Sequence, residues 1–217
     1  MLFPSLSLFS RLGILVLLLA IAALVDFCLH RAAATRWKEY SFLLAAAFLG
    51  ALFGLANDAL TSWLSPAYFL YGKGIHPGPH FQSNVLALGF QAGFGAALVA
   101  GAGFLFANNP KPGLPQLPYR KLAVYILLPI TLAVVLAVVL GVSSAWFVHS
   151  SPDSELAKLT GPPAAVWFWR VWCIHLGLYV GLLFGTISAC IAIRRARRQA
   201  AVKTLPPAPI SSAIASP

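Results

Sequence analysis

Five apolar runs, each long enough to cross a bilayer, divide this chain, and its basic residues collect in alternate gaps between them. A crossing takes about 20 mostly apolar residues for roughly 30 Å of hydrocarbon. Residues 12–29, 41–64, 84–107, 122–147 and 165–193 each meet that requirement. Inside lipid no water satisfies the backbone N–H and C=O groups, so each run must bond internally as a helix. The sequence thus predicts an all-α integral membrane bundle of five spans, one domain over residues 1–198. Residues 199–217 are expected to form a disordered tail, rich in Ala, Pro and Ser from Thr204 onward.

Composition rules out the soluble alternative. Only 9% of residues are charged, against about 25% in ordinary soluble domains, too few to cover a globule with solvated side chains. Hydrophobic residues make up 59%, and the mean hydropathy is +0.83. The net charge of +10 would point to nucleic acid only if basic residues formed a stripe interleaved with aromatics. They do not, so nucleic acid is not an expected partner and the lipid bilayer is.

The charge does set an orientation. Arg31, Arg36 and Lys38 follow the first run; Lys111, Arg120 and Lys121 follow the third; Arg194, Arg195, Arg197, Arg198 and Lys203 follow the fifth. Those three regions hold 11 of the 15 basic residues, and Arg11, Lys73, Lys158 and Arg170 are the four elsewhere. Cytoplasmic loops carry the Lys/Arg excess, which places the amino terminus outside and the carboxyl terminus in the cytoplasm. Reading the first run as a cleaved secretory signal, with Ala32 to Ala34 near its end, would invert every later span. A retained first span is the expectation. Cys28, Cys173 and Cys190 differ in depth and give no Cys-x-x-Cys spacing, so they read as packing residues rather than a disulfide framework or metal knuckle.

Between the runs, Asn109 to Pro115 is a proline-rich turn. In the connection of residues 65–83, Ser65 is an N-cap and Pro66 a first helical residue for a short aromatic helix over 66–71, expected to lie in the outer interface. Membrane helices approach closely where small residues form ridges. Gly177, Gly181, Gly185 and Ala189 form one in span five; Gly89, Gly93, Ala97 and Gly101 in span three; Ala46, Gly50 and Gly54 in span two. Spans two, three and five are therefore expected to form the core. Span four, rich in Leu and Val with a kink at Pro129, is expected to face lipid.

Asp58 continues the span-two ridge, about 7.5 Å deeper than Trp63 at 1.5 Å per residue. A charge at the bilayer centre costs about 2.5 to 3.5 kcal/mol, less toward the interface, so Asp58 calls for a partner or a wet cavity. Arg170 shares the glycine stripe of span five and is the first choice, since a guanidinium can grip a carboxylate with two bonds. His175 lies about 140° around the helix from Arg170, with Tyr179 one turn further on the same face. Asn57, Asp58, Arg170, His175 and Tyr179 are thus expected as a structural polar cluster. Gln91 reads as a bond between spans, and Asp26 and Glu39 as surface partners of nearby arginines. His76, His80 and His149 fall on the same side as His175, with Asp153 and Glu155. Pro77, Gly78 and Pro79 break the one helical face that His76 and His80 would need to share a metal, so no metal or cofactor is expected. No span offers paired carboxylates, a serine with a base, or a phosphate-cradling loop, and an enzyme is not expected.

The stretch from Asn57 through Asp58, Ser65, Pro66, Tyr68 and Phe69 resembles a signature of uncharacterised bacterial multi-pass membrane proteins. Theirs runs His-Asp-Gln, an aliphatic residue, Ser or Thr, then Ser-Pro-Glu-Tyr-Phe. His175, Tyr179, Gly181 and Gly185 resemble their last span. Asn57, Ala59 and Ala67 replace the family's His, Gln and Glu, and Leu176 an expected Asn. The resemblance implies the architecture and a bacterial cytoplasmic membrane, with no activity attached.

Together these features point to a non-enzymatic structural or accessory membrane subunit, associating with other subunits or itself. The alternative is a small transporter or ion-handling protein using Asp58 and His175 in an outward-facing vestibule. Orientation comes first and is directly testable. With native cysteines replaced by alanine, a membrane-impermeant thiol reagent applied to intact cells should label Lys73→Cys and spare Gln199→Cys; the reverse pattern overturns the assignment.

Overall fold

A computed structural model describes residues 8–31, 34–149 and 154–203. It is all-α, and no strand occurs among the described residues. The elements are α1 (Leu8–His30), α2 (Arg36–Leu64), a π-helical turn (Tyr68–Gly72), α3 (Phe81–Ala107), α4 (Tyr119–Val124), α5 (Leu127–Phe147), α6 (Glu155–Thr160) and α7 (Pro162–Lys203). Five helical stretches are long and apolar enough to cross a membrane: Ser10–His30, Arg36–Leu64, Phe81–Ala107, Tyr119–Phe147 and Pro162–Val202. We call the end of the bundle that holds residues 65–80 the upper end, and the opposite one the lower end.

Close backbone contact organises the spans into two antiparallel pairs. On α2 and α3, a Cβ added to Gly54 would collide with the carbonyl of Gly89, and one added to Gly50 would collide with Ala97 and the carbonyl of Gly93. Partner numbers fall as glycine numbers rise, as antiparallel packing requires. On α7, Gly177 faces Leu136 and Ala137, Gly181 faces Leu132 and Ala133, and Gly185 faces Pro129. Without Cβ atoms the helix backbones reach distances at which dispersion holds them together in lipid. Gly101 is looser, its nearest neighbours being Leu43 and Ala46 side chains at 3.2 and 3.5 Å.

The second seam corrects the expected core. The glycine ridge of the last span packs on the fourth span, not on the second and third, so the fourth span is half of a pair rather than a lipid-facing outlier. Pro129 explains how. Having no N–H, it cannot bond the carbonyl of Tyr125; Leu128 N bonds it instead at 3.2 Å. The span breaks there into α4 and α5, and Pro129 presents a flat ring to Gly185.

The pairs meet mainly at their two ends. Phe104, Leu117, Leu122 and Ile193 form a buried apolar cluster at the lower end. Tyr68, Phe69, Val85, Phe168 and Val171 form one at the upper end. The segment after Ser65 is helical as expected, but its rings do not lie exposed along a rim: Tyr68 and Phe69 are buried against the upper end of the bundle. The Ser65 hydroxyl is buried and makes no hydrogen bond, so it does not act as the cap. Among the described residues α1 packs mainly on α2, with none of its apolar window buried. Asp26 joins the two, its Oδ2 accepting bonds from the backbone N–H groups of Thr35 and Arg36 at 3.0 and 2.9 Å. Its Oδ1 pairs with His30 at 2.9 Å, and Glu39 pairs with Arg36 at 2.8 Å.

α7 has 42 residues, about 63 Å at 1.5 Å per residue, twice the hydrocarbon thickness. Helix continues through its basic last turns to Lys203. The expected disorder from residue 199 is therefore wrong for residues 199–203; residues 204–217, like Asp153, lie outside the described residues.

The seams predict a position-specific response. Gly54→Leu and Gly181→Leu should each lower stability in detergent by about 1–3 kcal/mol through overpacking. Gly95→Leu, where an added Cβ meets nothing within 4 Å, should leave it within about 0.5 kcal/mol. Equal losses at all three positions would contradict the packing.

Candidate functional site

Asp58 occupies the last full turns of α2 at 6% exposure. Its side chain lies over Gly89 of α3, whose added Cβ would come within 2.8 Å of the Asp58 Cβ. The glycine therefore makes room for the carboxylate. From α7, His175 reaches it, at 5% exposure. His175 Nε2 stands 3.8 Å from Asp58 Oδ1 and 3.3 Å from Thr61 Oγ1. The Thr61 hydroxyl also donates to the carbonyl of Asn57 at 2.8 Å, and the Asn57 amide donates to Asp58 Oδ1 at 3.0 Å.

The imidazole is clamped on its faces as well. Tyr68 stacks on it with centroids 4.7 Å apart and planes 23° from parallel. Phe69 meets it edge-on at 6.1 Å, and Tyr179 tilts against it at 6.4 Å. Lys73 lies 5.4 Å above the far ring of this stack, that of Tyr68. Burial pushes the Tyr68 hydroxyl above the ordinary tyrosine range. This is why residues 66–72 turn inward: their aromatic rings close over a polar pair that lipid would otherwise touch.

Arg170 is not the partner of Asp58. Its guanidinium stacks over Trp167 at 5.0 Å, and its Nε is buried without a hydrogen bond. The angular relation on α7 is as the sequence predicts, with Arg170 and the glycines on one face and His175 on another. What differs is the assignment of neighbours. The glycine face looks to α5, which leaves the His175 face for α2. Of the expected cluster, the structure brings together Asn57, Asp58, His175 and Tyr179, and sets Arg170 apart. Gln91 is exposed and makes no hydrogen bond among the described residues, so it does not bridge spans. His76, His80 and His149 are exposed. Among the described residues no three His, Cys, Asp or Glu side chains converge, and the three cysteines are free thiols.

Below this cluster a cleft runs down between the two helix pairs. Its open space is about 830 Å³ counting the mouth, and it extends from Asn57, Asp58 and His175 to Ala46 and Phe104. Gly50, Gly54, Gly93 and Ala96 line one wall, and Leu178 and Leu182 of α7 the other. Tyr179, half exposed, also lines it.

A second polar cluster at the lower end was not read from the sequence. Arg197, at 3% exposure, donates to four backbone carbonyls, that of the last residue of α3 and three in the α3–α4 connection. These are Ala107 and Asn109 at 2.7 Å each, Leu114 at 2.9 Å and Pro115 at 3.0 Å. Asn108 is fully buried beside it and bonds both backbone groups of Leu117, at 2.9 and 3.0 Å. Arg197 looked like one of five flanking charges. The available signal was the loop itself, whose three prolines in Asn109 to Pro115 forbid the regular backbone bonding that would occupy those carbonyls. Comparison of the chain with family models, curated proteins and solved structures gives no match.

Proposed function

We propose that this chain is a non-enzymatic multi-pass protein of a bacterial cytoplasmic membrane, a structural or accessory subunit with its amino terminus outside and its carboxyl terminus in the cytoplasm. In it the Asp58–His175 cluster clasps one helix pair to the other. The observation that carries this reading is that the buried Asp58 and Thr61 of α2 meet the buried His175 of α7 across the bundle, with Asn57 and Tyr68 completing the shell. The bacterial membrane setting and the membership of the His-Asp-Gln family rest on the resemblance around Asp58, and the orientation on the charge count. Subunit association is consistent with α1, whose apolar window is left uncovered by the described residues.

A double-mutant cycle tests the clasp. Asp58→Asn and His175→Gln should each lower stability in detergent, and the double variant should lose about 1 kcal/mol less than the sum of the two. Additive losses would remove the clasp.

A second reading is favoured by the position of Asp58 and His175 on the wall of the cleft: an ion-handling protein in which this pair passes a proton. A carboxylate and an imidazole inside a membrane protein are the groups such relays use. Proteoliposomes containing the full chain would then show a proton flux that Asp58→Asn abolishes while melting as the parent does. Equal flux in protein-containing and empty liposomes rejects this reading.

A further inference from the structure

We infer that the cleft between the helix pairs is a binding site for a long-chain amphiphile with a small hydrogen-bond-donating head, a hydroxyl or an ammonium, seated at Asp58. Three features of the cleft select that chemistry.

The first is polarity. Asn57, Asp58, His175 and Tyr179 line its upper part, and apolar or glycine positions the rest. Apolar walls with a few convergent polar groups are the usual make-up of a small-molecule site. The second is length. From Asp58 to Ala46 there are twelve residues of α2, about 18 Å at 1.5 Å per residue, close to one leaflet of a roughly 30 Å hydrocarbon layer. One extended hydrocarbon chain spans that distance. The third is the carboxylate. Asp58 Oδ1 accepts from Asn57 and faces His175, whereas among the described residues Oδ2 accepts no hydrogen bond. An acceptor at 6% exposure on a cleft wall is matched by a donor and repels an anion, which excludes phosphate and carboxylate heads. The head must also be small, because Asp58 lies six residues, about 9 Å, below the end of α2 at Leu64. The site is independent of whether the Asp58–His175 pair serves as a clasp, since its apolar wall is built by the glycines and Ala96.

The test uses the full chain in detergent micelles and a hexadecanol carrying a photoactivatable diazirine at mid-chain, with labelled positions mapped by mass spectrometry. Label should concentrate on cleft-lining residues of α2, α3, α5 and α7. Hexadecanol, hexadecylamine or both should displace it at concentrations about tenfold below those of hexadecane or hexadecyl phosphate. The more effective of the two identifies the head. Ala96→Phe, which fills the cleft at a position outside the glycine contacts, should cut labelling about tenfold with unchanged melting. Asp58→Asn should bring the alcohol and the alkane closer together. Label spread evenly over the exposed helix faces, labelling that survives Ala96→Phe, or hexadecane competing as well as hexadecanol would each overturn the inference.

Discussion

Backbone-to-backbone contact at glycine is the constraint on which the rest of this bundle depends. In lipid, side chains gain little by meeting one another rather than acyl tails, so the helices that pair are those that can approach most closely. α2 and α3 do so at Gly50, Gly54, Gly89 and Gly93; α5 and α7 do so at Gly177, Gly181 and Gly185. Each seam uses up the small-residue face of its helices. Neither pair then has a continuous ridge left for the other, and the pairs cannot close on one another along their full depth.

What joins them is therefore concentrated at the ends and is partly polar. At the upper end one imidazole from α7 meets a carboxylate and a hydroxyl from α2, and aromatic rings from the inward-turned segment cover it. At the lower end Arg197 of α7 holds the loop after α3 by four carbonyls. The two devices differ in kind. A guanidinium has five donors in a rigid fork and suits an irregular loop whose carbonyls have no helical partners. The histidine and aspartate instead make a small cluster between regular helices, where geometry is fixed by the helix faces. Both put polar side chains where an unmatched group would be costly, so each ties the ends of the bundle to a single register.

Much of this is legible in the residues, and the exceptions have physical reasons. The spans follow from apolar length, and the place of Asp58 in line with Gly50 and Gly54 follows from a four-residue ridge. The angle between Arg170 and His175 on their helix is likewise a matter of counting. What counting cannot supply is which neighbour a face looks at, because a glycine ridge is complementary to any other small surface, including that of a Leu/Val-rich helix such as α5. Choosing the wrong neighbour for the Gly177–Gly185 face put Arg170 against Asp58 and left α5 to lipid. Arg197 was hidden for a different reason. In a basic terminal turn, one arginine that bonds a loop has the same sequence appearance as the three exposed ones beside it. Tyr68 and Phe69 were legible as helical, but not as buried, since their burial depends on His175 standing beneath them.

The cleft and the seams have one cause. When two helices touch through glycine, the flank beside the contact is also bare, because no side chain is present to fold back over it. Gly50, Gly54, Gly89 and Gly93 accordingly appear twice, in the contact between α2 and α3 and on the wall of the cleft. Asp58 lies on the extension of that bare flank. It is buried by approach of α7 at one point rather than by a packed layer, and this is how a carboxylate comes to be enclosed by protein while still bordering open space. Closing the cleft with larger side chains at the glycines would separate α2 from α3, so the fold cannot remove the space without losing the contact that builds it. Positions such as Ala96, which border the space without making the seam, are where the size of the cleft can be altered while the pair stays intact.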